Sequence, residues 1–294
     1  MAVTEPLATY LELRQSAEDG SAGAGLSHSQ KGLFLLHVLE LAAAGEPRGG
    51  VTLVHDAGDH GGRYLDVARE LAQARWAVAL PDLRGHGKSE GTRGHSAGIA
   101  EVQRDLDAVQ DHLAYRLPVA PKALVGVGLG AIYAARYVLD KPGSVAALVL
   151  VSPRWRPKFE APAQPGGLLK MFKKLAPDAP GRVGNDPAKL FIDAAARAAW
   201  SKDELVHDAI TLRAIEQVTA VAQDVEARLA RVDVPTLVLH GEGDPLSERA
   251  LSAAAGGAAV TLHDVRGARH ELLHDVGAPE TVAFVRDWLT ARVG

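Results

Sequence analysis

Apolar and polar positions along this chain fall into a repeating order. Short apolar runs of strand length alternate with stretches in which apolar residues recur every three to four positions. "GLFLLHVLELAAAG" and "GGVTLVHD" predict two early strands. "RYLDVARELAQARW" carries a helical period and leads into a strand at "AVALPD". "IAEVQRDLDAVQDHLAYRL" predicts an amphipathic helix. It is followed by the strand "ALVGV", the helix "AIYAARYVLDKPG" and the strand "VAALVLVSP". Late in the chain "VPTLVLHGEGD" and "AAVTLHDVRG" predict strands, and "PETVAFVRDWLTARV" a closing helix. Such alternation implies an α/β fold, a mostly parallel sheet with helices on both faces.

The pattern breaks in the middle. From Pro153 to Ala230 it predicts helices and no strand, after the proline-rich "RWRPKFEAPAQPGG". A segment of that length is too long for a plain loop, so a helical cap inserted at 153–230 is expected. The core is then 26–152 and 231–294, preceded by an N-terminal extension at 1–25. An insertion beside strand ends commonly covers a pocket.

Composition narrows the chemistry. A net charge of −4 gives no electrostatic reason to expect nucleic acid. The absence of cysteine removes disulfides, thiolate metal sites and a cysteine nucleophile. No run is long and apolar enough to span a bilayer, and the first residues lack a signal-peptide pattern, which points to a soluble, cytoplasmic protein. The histidines and aspartates of "HDAGDHGGRY" suggest a metal at first sight. No second histidine-rich cluster completes a ligand shell, so no metal is expected.

Three further motifs fall at strand ends: "PDLRGHGKSEG", "LHGEGDPL" with Asp244, and "GARHELLHD" with His270. An acid followed by a histidine at one sheet edge is the chain order of an α/β-hydrolase after its nucleophile. With these residues in place the chain resembles the monoacylglycerol lipase and serine aminopeptidase-like group of α/β-hydrolases. The group's H-G-x-G-E-H-x-G-R-Y is similar to "HDAGDHGGRY", with Asp56 in place of glycine and Asp59 in place of glutamate. Its D-x-R-G-H-G-x-S is met at Asp82, Arg84, Gly85, His86, Gly87 and Ser89, and "DELVHDAITLRA" is similar to its cap segment. The resemblance implies the α/β-hydrolase fold, Asp244 and His270 as catalytic acid and base, and oxyanion donors at the N–H groups of Ala57 and Leu129. It implies a pocket near His55 and Asp56 and a small apolar or acyl-type ligand. It implies no cofactor.

The resemblance fails at the nucleophile, a second departure beside Asp56. Where the group carries G-x-S-x-G, this chain reads Gly126-Val127-Gly128-Leu129-Gly130, so Gly128 stands at the nucleophile position. Glycine relieves the strain of that turn, and the loss of a side chain would leave space for a water beside His270. Asp56 either faces outward or points in and opposes an oxyanion. Three readings remain open. One is a non-hydrolytic homologue that binds its ligand under the cap. Another is an enzyme using the Asp244–His270 pair as general base on water or substrate. A third is a nucleotide cofactor on the Gly126-Gly128-Ala131 turn, for which the next strand lacks the expected acid.

Overall fold

The computed structural model describes residues 5–14, 33–160, 177–255 and 257–293. Its centre is an eight-stranded sheet. In chain order the strands are β1 (Leu7–Arg14), β2 (Leu33–Leu41), β3 (Gly49–Val54), β4 (Trp76–Pro81), β5 (Lys122–Val127), β6 (Ala147–Val151), β9 (Thr236–Gly241) and β10 (Val260–Val265). Spatially they run β1-β2-β4-β3-β5-β6-β9-β10. The first two pairings are antiparallel and the others parallel.

The inner strands read as continuous apolar runs because both faces are covered. Every residue of β3, β6 and β9 is buried. Successive side chains point to opposite faces. Leu124, Leu148, Leu150 and Val238 meet helices α2 (Ile99–Arg116), α3 (Leu129–Asp140) and α6 (Leu212–Arg228). Val125, Val149, Leu237 and Leu239 meet α1 (Leu65–Gln73) and α8 (Ala278–Val293) on the other side.

Two expectations need correction. Leu7–Arg14, assigned to an extension outside the core, pairs residue for residue with β2 as the sheet's edge strand. Its partner face is partly exposed, which removed the strong apolar signal that marks an inner strand. Residues 15–32, including the expected core start at Leu26, lie outside the described residues. The expected cap also contains strand: β7 (Pro180–Arg182) pairs antiparallel with β8 (Ala209–Thr211). Three residues each are too few to show a period of two. Around this pair stand the short helices α4 (Pro187–Leu190) and α5 (Ala194–Lys202), while 161–176 lie outside the described residues. Helix α7 (Arg249–Ala255) follows β9.

The β8 segment is clasped to two loops that leave the sheet. The His207 N–H donates to the Gly58 carbonyl at 2.8 Å, and the Thr211 N–H to the Gly94 carbonyl at 3.1 Å. Backbone approaches so closely at Gly94, with φ +65°, that an added Cβ would stand 1.9 Å from the Ala209 oxygen. Gly94→Ala is therefore expected to lower stability by about 2–4 kcal/mol, from overpacking and a left-handed backbone together. Thermal denaturation should show the loss, and limited proteolysis should show faster cutting within Val206–Thr211.

Candidate functional site

Five chain segments meet at the C-terminal ends of the parallel strands. β3 runs out into His55 and Asp56, and β5 turns sharply at Gly128 into α3. β6 runs out into Ser152–Trp155, and the loops after β9 and β10 carry Asp244 and His270. Gly128 has φ +56° and ψ −113°, a region an L side chain rarely adopts, which is why glycine is comfortable there.

The acid and histidine foreseen from the sequence are together. Asp244 Oδ2 lies 2.8 Å from His270 Nδ1, and Asp244 Oδ1 accepts the Leu246 N–H at 2.8 Å, which fixes the carboxylate. The Ser152 hydroxyl donates to the His270 carbonyl at 2.8 Å and anchors that loop to β6.

Asp56 points inward. Its Oδ1 accepts the backbone N–H groups of Ala57 and Leu129, each at 2.7 Å. Those are the two donors assigned to an oxyanion. Its Oδ2 lies 3.2 Å from His270 Nε2 and 2.6 Å from a terminal nitrogen of Arg154. The space above Gly128 holds this carboxyl rather than a water. A Cβ built on Gly128 would stand 2.0 Å from Asp56 Cγ, so the two positions share one side chain's volume.

Sequence reasoning missed Arg154. It is held between two tied neighbours: Ser247 Oγ donates to the Pro153 carbonyl at 2.7 Å, and Trp155 Nε1 donates to Ser252 Oγ at 2.7 Å. The terminal nitrogen that meets Asp56 also donates to Asn185 Oδ1 at 2.9 Å, while the Asn185 amide donates to the Ala57 carbonyl. The available signal was position, because an arginine just past the end of an inner parallel strand lies where such sheets gather functional groups.

Charge balance sets the protonation of this cluster. Burial alone would lower the His270 pKa, but Asp244 outweighs it and the pKa is raised to about 9, with Asp56 helping and Arg154 opposing. Burial would raise Asp56, but Arg154, His270 and the Leu129 N–H hold it well below the usual carboxylate range. Nε2 of His270 cannot both donate to Asp56 and accept from Arg154 Nε, which also lies 3.2 Å away. The imidazolium form gives two carboxylates and two cations, which is neutral overall and favoured where charges are buried. Arg154 Nε then rests against the ring, and the guanidinium's terminal nitrogen carries the bond to Asp56. Asp56 is 2 % exposed, His270 0 % and Arg154 4 %, so solvent and substrate do not reach the cluster as it stands.

The pocket foreseen at His55 and Asp56 lies one step away. His55 is buried, with Nδ1 donating to the Asp56 carbonyl at 2.6 Å and Nε2 accepting the Leu83 N–H at 2.9 Å, so it braces two loops. Asp56 is covered by its partners. A narrow pocket of about 30 Å³ instead opens beside Ala57, Leu83, Leu129, Tyr133 and Ile210, with His86 on its polar side. The histidine and aspartates of the "HDAGDHGGRY" run are engaged within the protein: Asp59 with Arg63 and the Tyr64 hydroxyl, His60 with Asp203. Among the described residues no group could hold a metal ion. At the Gly126–Ala131 turn the Leu129 N–H, at the start of α3, is already bonded to Asp56 and is not free for a phosphate.

Sheet order, flanking helices and the strand-end position of Asp244 and His270 define an α/β-hydrolase fold. The chain belongs to the serine aminopeptidase, S33 family, whose model matches residues 45–277. It is similar to the monoacylglycerol lipase of Mycolicibacterium smegmatis, 29% identical over 258 residues that cover 84% of this chain and 90% of that protein. It is similar to the monoglyceride lipase of Homo sapiens, 28% identical with 84% of both chains covered. Among solved structures it resembles a Paleococcus ferrophilus monoacylglycerol lipase, with a TM-score of 0.77 and 27% identity over 87% of this chain and 99% of that one. A soluble variant of monoglyceride lipase from Saccharomyces cerevisiae, in complex with a substrate analog, shares the fold at a TM-score of 0.80 and 15% identity, covering 99% of this chain and 97% of that one.

Two outcomes follow from the ionic cluster. Arg154→Met leaves Asp56 buried without its cation and is expected to cost about 3–5 kcal/mol in chemical denaturation. Asp56→Asn with Arg154→Met removes both charges and should recover a large part of that loss, a coupling measurable by a double-mutant cycle.

The pH dependence has a defined direction. His270 is raised from 6.5 to about 9 in the folded protein, so its contribution, about 3 kcal/mol, is complete below pH 6.5 and disappears as pH rises through 9. Asp56 is depressed below 3.8, so its contribution is present above that pH and is lost on further acidification. Urea denaturation should thus show a plateau between about pH 4 and 6.5. The alkaline decline should be absent in His270→Gln.

Proposed function

We propose that this chain is a non-hydrolytic member of its family, with the acyl-transfer site closed by its own Asp56 and a small apolar or acyl-type ligand held beside it. The observation that carries this reading is the Asp56 carboxylate on the Ala57 and Leu129 N–H groups, in the volume a residue-128 side chain would need. In this reading Gly128 replaces the serine, and Asp244 and His270 are the remaining triad positions. An ester's tetrahedral intermediate needs those same two donors for its oxyanion, and a nucleophile on the turn needs the same space.

The general-base alternative is weakened by the electrostatics. An imidazole whose pKa is about 9 already carries its proton near neutrality, and His270 has no exposed surface from which to meet a water. The ligand class is supported by the relatives, one of which is described in complex with a substrate analog. It is also supported by the apolar lining of the pocket that starts at Ala57 and Leu129. At about 30 Å³ that pocket admits a water-sized group. A larger ligand therefore enters with displacement of the clasped β8 segment. The 153–230 region serves as the cap in this account.

Two assays test the reading. Wild type and Gly128→Ser are expected to show no hydrolysis of a p-nitrophenyl butyrate substrate and no fluorophosphonate labelling. Asp56→Gly with Gly128→Ser frees the donors and the volume together, and its gain should exceed the sum of the single changes. At ~5 Å and an effective dielectric of ~20, removing the carboxylate's repulsion on an oxyanion is worth about 3 kcal/mol, or roughly a hundredfold in rate. Robust esterase activity in Gly128→Ser alone would sink the proposal. In the second assay a fluorescent fatty-acid analogue should bind saturably to wild type and be excluded by Ala214→Phe, which fills the pocket. Binding unaffected by that change would place the ligand elsewhere.

A further inference from the structure

At the opposite end of the sheet, where β3 and β4 begin, an open cleft of about 490 Å³ is walled by Arg48, Arg75, Arg286, Asp287, Gln73 and Thr290. β3 spans six residues from Gly49. Asp56 lies just past its far end, so at ~3.3 Å per residue the cleft is roughly 25 Å from the ionic cluster. It is a separate place on the molecule.

Its arginines are poorly matched to the protein's own carboxylates. Arg286 is paired, with Nε on Asp287 at 2.8 Å and a terminal nitrogen 3.4 Å from Glu70. Neither Arg48 nor Arg75 has an ion-pair partner among the described residues. The Nε of Arg48 is shielded from solvent with no hydrogen-bond partner, an arrangement that costs free energy unless a ligand or water supplies an acceptor. The two backbones are tied together, since the Arg48 N–H donates to the Arg75 carbonyl at 2.9 Å.

Arg75 is also an unusual residue for its conformation. It directly follows Ala74, the last cap of α1, with φ +69°, where glycine or asparagine is the ordinary choice. Its N–H bonds the Ala72 carbonyl, and the Ala44 N–H bonds the same oxygen, so the helix end is already satisfied without the side chain. One other non-glycine residue has positive φ among the described residues, Ser152, and it braces His270 in the ionic cluster. A strained arginine that the local backbone does not need points to a purpose for its guanidinium.

We propose that this cleft binds a phosphate-bearing small molecule, its phosphate or diphosphate group bridging the Arg48 and Arg75 guanidiniums. Planar guanidiniums offer paired N–H donors that match two phosphate oxygens, and the buried Arg48 Nε gains the acceptor it lacks. Gln73 and Thr290 supply neutral hydrogen-bonding groups at the rim for the rest of the ligand. Asp287 and Glu70 keep Arg286 engaged, so that arginine contributes field more than a direct bond.

The test uses the intact protein and inorganic pyrophosphate as the probe, titrated calorimetrically at low ionic strength. Saturable one-to-one binding is expected, weakened about tenfold by Arg48→Ala and by a similar factor in Arg75→Gly. Arg75→Gly relaxes the left-handed backbone and should melt no lower than wild type, so its lost affinity cannot be assigned to unfolding. Arg266→Ala, an exposed arginine elsewhere, should leave binding within about twofold of wild type. A flotation arm with phosphatidate-containing and pure phosphatidylcholine vesicles separates a soluble ligand from a lipid headgroup. Vesicle binding without pyrophosphate binding overturns the proposal. So does absence of saturation, or equal loss in the Arg266 and Arg48 variants.

Discussion

The contact on which the rest of the site depends is between the Asp56 carboxylate and Arg154. Either charge alone in that position would be a heavy penalty, because neither meets solvent. Together they permit the rest. Asp56 can accept two backbone N–H groups, His270 can stay protonated between two carboxylates, and Gly128 can turn with no side chain beneath it. Asn185 extends the arrangement by joining the guanidinium to the Ala57 carbonyl. Removing the pair would therefore change the histidine's charge, the turn's packing and the anchoring of Asn185 at once.

Much of the architecture was legible because it rests on local periodicity. Inner strands buried on both faces had to be mostly apolar, and β3, β5, β6 and β9 are, broken only by Thr52, Lys122, Thr236 and His240. Asp244 and His270 were legible for a different reason, since strand ends of a parallel sheet bring distant loops together whatever their intervening length. β1 was not, because an edge strand with one partner and a partly exposed face carries a weak pattern. β7 and β8 were hidden by their length of three residues.

The direction of Asp56 could not be read at all. A side chain next to a strand end faces inward or outward according to its rotamer and what awaits it, and here what awaits it is a residue 98 positions later in the chain. "LVSPRW" displayed no acid and so looked unhelpful to a cofactor. Its arginine was the informative letter, and nothing local marks an arginine as buried. The neutralisation that decides the site's chemistry was thus present in the sequence only as Asp56, whose direction stayed open, and an unremarked arginine.

The shared volume of Asp56 and residue 128 also has a historical consequence. A side chain at 128 and an inward carboxylate at 56 are mutually exclusive occupants, so a lineage cannot exchange one for the other in a single substitution without a clash. The open route runs through glycine at both positions, where Arg154 is left buried and facing a bare cleft. That intermediate is worse than the present state on charge grounds, because Arg154 loses its carboxylate. With the carboxylate and the arginine both in place, a side chain at residue 128 has room only after the buried pair is broken, so the pair itself holds that position at glycine.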